Sequence, residues 1–138
     1  MIANSWMGQL KDHGYRLTGA RNAVVETVAD TKQALTPLEV FDLARRKYAA
    51  LGLVTVYRTL EKLEELNLVQ RVHQPAGCQA FIAASKGHQH LLLCQSCGQA
   101  IYIDGDDLDP LIDKLSRQTG FRIDEHWLQF FGLCMNCQ

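Results

Sequence analysis

Four of the five cysteines fall into two Cys-x-x-Cys pairs, Cys94/Cys97 and Cys134/Cys137, with 36 residues between them. Two such pairs can supply four thiolates, as two short knuckles, to one tetrahedral Zn²⁺. Gly98 follows the first pair and frees the backbone to turn its N–H groups toward the sulfurs. The competing uses of the same residues are two disulfides or four core thiols. Disulfides need an oxidising compartment, and Met1 to Leu10 shows neither the basic start nor the long apolar run of an export signal. The spacing therefore predicts a structural zinc in a cytoplasmic protein, stapling residues 134–137 to a strand some forty residues earlier.

A chain of 138 residues suits one ordinary domain or two small ones, and 47% hydrophobic residues are enough for a core. No segment approaches a membrane span. The net charge of −1 excludes a wholly basic nucleic-acid coat, but the halves differ. Residues 1–77 carry ten Lys/Arg against eight Asp/Glu, and residues 78–138 carry four against seven. Any DNA contact is expected in the first half, where a single basic face matters more than the sum.

The first half carries three helical patterns. Thr18 can cap a helix running to Ala29, with Val24, Val25 and Val28 as its apolar stripe. Thr36-Pro37-Leu38-Glu39 is a capping box with proline at the first helical position, opening a helix to about Arg46. Thr55 can cap a third helix, Val56 to Leu66, which turns Val56, Leu60, Leu63 and Leu66 inward and stops at Asn67. The strand Leu68 to His73, the turn Gln74-Pro75-Ala76-Gly77 and the strand Cys78 to Ile82 follow as a hairpin. Two short helices, a third that begins with small and polar residues, and a hairpin make a winged helix-turn-helix. Its third helix would enter the major groove N-terminus first. There Tyr57 offers an aromatic edge and a hydroxyl, and Arg58 a charge for phosphate or a fork for guanine. Taken alone, the same two residues also serve as half-buried packing and a helix-surface ion partner.

In the second half, His88 and His90 are two apart on a strand reaching Cys94 and so share a face, the spacing by which one strand gives two imidazoles to one metal. A strand from Gln99 to Ile103 follows. Asp109 is placed to cap a helix, Leu111 to Thr119, that ends at Gly120, and a strand is expected over Phe121 to Phe130. His126 alone reads as an ordinary histidine. Asp104 to Asp109 lacks the twelve-residue spacing of a Ca²⁺ loop and reads as a solvated turn. Cys78 lies across the hairpin turn from His73 and is either an idle thiol or half of a metal or redox pair. There is no Gly-rich phosphate loop and no G-x-S-x-G elbow, so no small-molecule substrate is expected.

A winged helix followed by a His-x-His strand and two distant Cys-x-x-Cys pairs resembles the ferric uptake regulator (Fur) family of bacterial metal sensors. The similarity runs from Gly14-Tyr15-Arg16-Leu17-Thr18-Gly19-Ala20-Arg21 through Thr55-Val56-Tyr57-Arg58 to Cys134-Met135-Asn136-Cys137. The resemblance implies an α+β chain. A winged-helix DNA-binding domain with its hinge would occupy residues 1–83, and a small α/β dimerisation domain with the Cys₄ zinc residues 84–138. It implies a homodimeric repressor that binds a palindromic DNA operator upstream of metal-uptake genes. Tyr57 would touch bases, Arg58 phosphates, and Arg16 or Arg21 the backbone or minor groove, with Thr55 opening the same helix. A regulatory metal would bind His88, His90, Asp109 and His126. That set suits Zn²⁺, Fe²⁺, Mn²⁺ or Ni²⁺, with Zn²⁺ ahead of Fe²⁺ because the donors offer no oxygen-rich open position.

The chain also departs from the family. Many members carry a further sensing site linking the two domains, and the matching positions here, Ala34, Ile82, Gln89 and Leu91, hold no good metal ligand. Sensing would then fall on the His₃Asp site, and peroxide chemistry at the missing site would be lost. Two rival readings stand beside the repressor. One is a redox-sensing regulator triggered at Cys78 or by release of the Cys₄ zinc. The other is a zinc-ribbon protein-interaction module without DNA contact. A metal-assisted hydrolase would have only Glu125, beside His126, as its base.

Overall fold

The computed structural model describes residues 2–74, 79–85, 89–104 and 108–138, and the chain divides into two compact units, Met1–Ala84 and Ser85–Gln138. The tip of the expected hairpin turn, Cys78, His88 and residues 105–107 of the acidic turn lie outside the described residues.

The first unit holds α1 (Ile2–Asp12), α2 (Gly19–Ala29), α3 (Pro37–Ala44), α4 (Leu53–Glu65), β1 (Val69–His73) and β2 (Gln79–Ala83). The start signals act as their chemistry requires. Thr18 accepts from the Arg21 N–H at 3.1 Å. Thr36 and Glu39 close a reciprocal capping box with Pro37 at the first helical position. After α4, Asn67 takes φ 57° and turns the chain into β1. The strands pair antiparallel from Val69 opposite Ala83 to His73 opposite Gln79, and Leu35 adds a bridge to Phe81 on the other edge of β2. Val24, Val25, Val28, Val40, Val56, Leu60 and Leu63 close the core between α2, α3 and α4. Trp6 and Leu10 cover it from α1. This is a winged helix with one helix added in front.

Two expectations for this unit need correction. The three helical patterns of the first half do not include α1, although Ala3, Trp6 and Leu10 recur at helical spacing and are all buried. Thr55 does not cap α4. The helix starts three residues earlier because the Gly52 carbonyl already accepts from the Val56 N–H at 3.4 Å, so Gly52 is the N-cap and Thr55 lies within the first turn. No side chain caps this N-terminus.

The second unit holds β3 (Gln89–Cys94), β4 (Ala100–Asp104), α5 (Asp109–Thr119) and β5 (Gln129–Gly132). Its sheet has the order β4-β3-β5, with β4 antiparallel and β5 parallel to β3. α5 ends at Gly120, which takes φ 74°. Asp109 is the first residue of α5 and Leu108 the cap. The carboxylate there favours the helix through the dipole rather than through a capping bond. The strand expected over 121–130 is also shorter. Its ladder begins at Gln129, opposite Leu91, and residues 121–128 have no regular structure. No described helix is long and apolar enough to cross a membrane.

Candidate metal centre and nucleic-acid interface

The sheet register assembles the cysteine cluster. Cys94 ends β3 opposite Gly132 of β5, and two residues beyond Gly132 the chain reaches Cys134. The Gln95 N–H donates to the Gly132 carbonyl at 2.8 Å, which locks the two knuckles side by side. Each knuckle closes on itself, with Gly98 N–H donating to the Cys94 carbonyl at 3.1 Å and Cys137 N–H to the Cys134 carbonyl at 2.9 Å. Gly98 needs φ 78°, the left-handed conformation for which glycine is suited.

The sulfurs of Cys94, Cys97, Cys134 and Cys137 all lie within 4.8 Å of one another. Cys97 and Cys134 Sγ are 3.8 Å apart. Bonds of about 2.3 Å from a tetrahedral zinc place two sulfurs about 3.8 Å apart, so the spacing fits the ion. The electrostatics fit as well. Backbone N–H groups of Cys97 and Cys134 aimed at the Cys94 sulfur pull that thiol down to about 6, the Cys134 N–H lying 3.3 Å away. The Cys134 thiol beside it pushes Cys137 up to about 12. Cys97 is also raised: the Gln99 N–H lowers it, but desolvation and the neighbouring thiols outweigh that. Four thiolates this close repel one another unless a divalent cation sits among them.

A second pairing lies in the same unit. His90 is buried on β3, with 5% of its surface exposed. His126 Nε2 approaches His90 Nε2 to 3.4 Å, with ring centroids 5.1 Å apart. Two nitrogens bound to one ion stand about 3 to 3.4 Å apart, so the pair is within reach of a shared metal as well as of a hydrogen bond between the rings. Asp109 is exposed at the start of α5. Among the described residues the four cysteines are the only group of three or more potential ligands drawn together.

In the first unit, α4 presents Tyr57 and Arg58 to solvent. Thr55 is half-buried, and its carbonyl accepts from the Thr59 hydroxyl at 2.7 Å. Arg16 is exposed. Arg21 is half-buried, and its Nη1 donates to the Arg16 carbonyl, so part of its guanidinium is committed to fixing the loop before α2. A contact unforeseen from sequence braces the hairpin. Arg71 of β1 donates from Nε and Nη2 to the two carboxylate oxygens of Glu64 on α4, each at 2.9 Å. The Glu64 carboxylate raises the pKa of this guanidinium. The pair is seven positions apart across the end of α4, and no local spacing rule reaches that far.

A winged helix joined to a sheet that carries a four-cysteine metal site is the architecture of a metal-binding transcription regulator. The chain belongs to the ferric uptake regulator family, whose model matches residues 12–131. It is 33% identical over 133 residues to the ferric uptake regulation protein of Bacillus subtilis, covering 94% of this chain and 89% of that one. It is 32% identical over 128 residues to the zinc uptake regulation protein of Mycobacterium tuberculosis, covering 91% and 96%. The solved ferric uptake regulator of Vibrio cholerae matches with a TM-score of 0.72 at 25% identity, over 92% of this chain and 98% of that one. Nearly equal identities to an iron-named and a zinc-named regulator leave the metal to be argued from the ligands.

Proposed function

We propose that this protein is a cytoplasmic, homodimeric repressor of metal-uptake genes that binds a palindromic operator when a second metal joins the structural zinc. The ligands of that second metal are His88, His90, Asp109 and His126, and Zn²⁺ is its preferred occupant ahead of Fe²⁺, Mn²⁺ and Ni²⁺. The observation that carries the reading is the 3.4 Å approach of the His90 and His126 nitrogens, a separation at which both can bind one ion. Ala34, Ile82, Gln89 and Leu91 offer no good donor set for a further sensing site, so the stoichiometry is two metals per chain. Elemental analysis before and after a mild chelator tests this. Two metals falling to one, together with loss of binding to a selected duplex, is the expected result. A single metal throughout would leave the structural zinc alone.

The dimer is supported by an apolar face on the second unit. Leu92, Ile101, Ile103 and Phe130 share one side of the sheet by register and are 37–52% exposed. α5 buries none of its residues and exposes Leu111 and Leu115. A small unit that leaves so much apolar surface in water gains by covering it with a second copy. Ile101→Glu is expected to convert the dimer to monomer at micromolar concentration in sedimentation velocity. An unchanged dimer would remove this face from the interface.

On α4, Arg58→Ala is expected to weaken binding to all duplexes alike and to flatten the salt dependence by about one unit, as removal of one phosphate contact does. An unchanged slope in a salt titration would take Arg58 off the phosphates.

A further inference from the structure

We propose that Val54 is a specificity-determining residue, packing against the 5-methyl group of a thymine beside the base that Tyr57 touches; this rests on the reading of α4 as the DNA-reading helix. α4 buries Val56, Thr59, Leu60 and Leu63 against the core. The opposite stripe runs Val54, Tyr57, Arg58, Glu61 and Glu65, all exposed. Val54 is 62% exposed and Tyr57 49%. These two are neighbours one helical turn apart, and Leu53, 37% exposed, adjoins Tyr57 from the same first turn. The result is a contiguous apolar tip at the entry of the helix, built in part from a β-branched residue that favours neither helix nor solvent.

The charge along the stripe selects the occupant. The helix starts without a side-chain cap at Gly52, so its positive end lies open beside Val54, and Arg58 adds a full charge one turn on. Glu61 and Glu65 then make the stripe acidic. A polyanion is accepted over the first turn and a half and repelled beyond it, which is the entry of a helix end into a major groove. In that groove a base edge offers an apolar side chain one matching group, the C5-methyl of thymine. Val54 supplies a methyl pair of suitable size, and the cost of leaving it in water disappears in the complex.

The test uses the full-length, metal-loaded protein. It selects a duplex from a randomised pool, and each thymine of that duplex is then replaced singly by deoxyuridine, which removes one methyl and nothing else. One such replacement is expected to weaken wild-type binding about fourfold, the worth of one methyl returned to water. Val54→Ala, a substitution that favours the helix, is expected to lose affinity for the parent duplex and to ignore that replacement. It should still respond to the thymine under Tyr57, and Val54→Ile should keep the wild-type pattern. Equal sensitivity of wild type and Val54→Ala at every thymine would overturn the assignment while leaving α4 as the reading helix. The assignment also fails if Val54→Ala alters the oligomeric state and not the thymine pattern, since a second copy would then cover the tip. Failure of the pool to yield any sequence would remove the DNA reading of α4 and this inference with it.

Discussion

Cys137→Ser is expected to strip the tightly held zinc from the chain and unfold the second unit while leaving the first folded. The expectation rests on how little else holds residues 85–138 together. Among the described residues of that unit the buried set is His90, Leu91, Leu93 and Cys94, and α5 contributes none. A three-stranded sheet with so small a core is marginal by itself. A zinc held by the four cysteines would cross-link the β3–β4 turn to the segment after β5. Structural zinc in small domains contributes on the order of 10 kcal/mol, more than any packing lost with one sulfur. Serine is close in size but puts a hydroxyl in place of the thiol and forms no thiolate, so the change isolates the ligand. Elemental analysis should show one metal fewer, and urea unfolding should split into an early transition and a later one belonging to the winged helix. A variant that retains its zinc and a single wild-type transition would show that three cysteines suffice. Cys94→Ser should behave alike, since its hydroxyl can still accept from the Cys134 N–H but supplies no thiolate.

The parts of this architecture that are legible in the sequence are those fixed by local chemistry. Thr18 and Thr36 cap because a hydroxyl three residues ahead of an N–H can reach it. The two Cys-x-x-Cys pairs state their geometry in four residues each. Sequence and structure part where a distant partner decides. Thr55 is an acceptable cap in isolation, yet the chain enters the helix at Gly52. Phe121 to Leu128 alternates well enough for a strand, but a strand needs an aligned edge, and β3 starts at Gln89, so residues 121–126 have no β3 residue opposite them and the ladder forms from Gln129. Asp109 sits one residue inside its helix rather than at the cap because Pro110 is tolerated at either of the first two helical positions. The approach of His126 to His90 across 36 residues follows from the parallel register of β5, which no local pattern encodes.

That approach leads to the second large effect. His126→Ala is expected to leave the fold and the Cys₄ zinc in place, to lower the metal count from two to one, and to abolish metal-stimulated DNA binding. His126 lies in a stretch without regular structure, so its removal breaks no ladder or helix. It does remove one of the two imidazoles that stand at ligand separation. A second metal can stimulate DNA binding only by as much as it prefers the DNA-competent state, and such couplings typically amount to about 5- to 150-fold. The whole of that factor should vanish, and the variant should bind duplex with the affinity of chelated wild type. His90→Ala should give the same loss by removing the other half of the pair. His13→Ala is the control, because this exposed histidine interacts with the Gln9 carbonyl in the first unit and has no part in the site. Titrating Zn²⁺ against fluorescence anisotropy of a selected duplex measures the effect, with circular dichroism and elemental analysis on the same samples. If His126→Ala kept two metals and a full response, the sensor would have to be built without this pair. If it kept two metals but lost the response, His126 would transmit the signal rather than bind the ion.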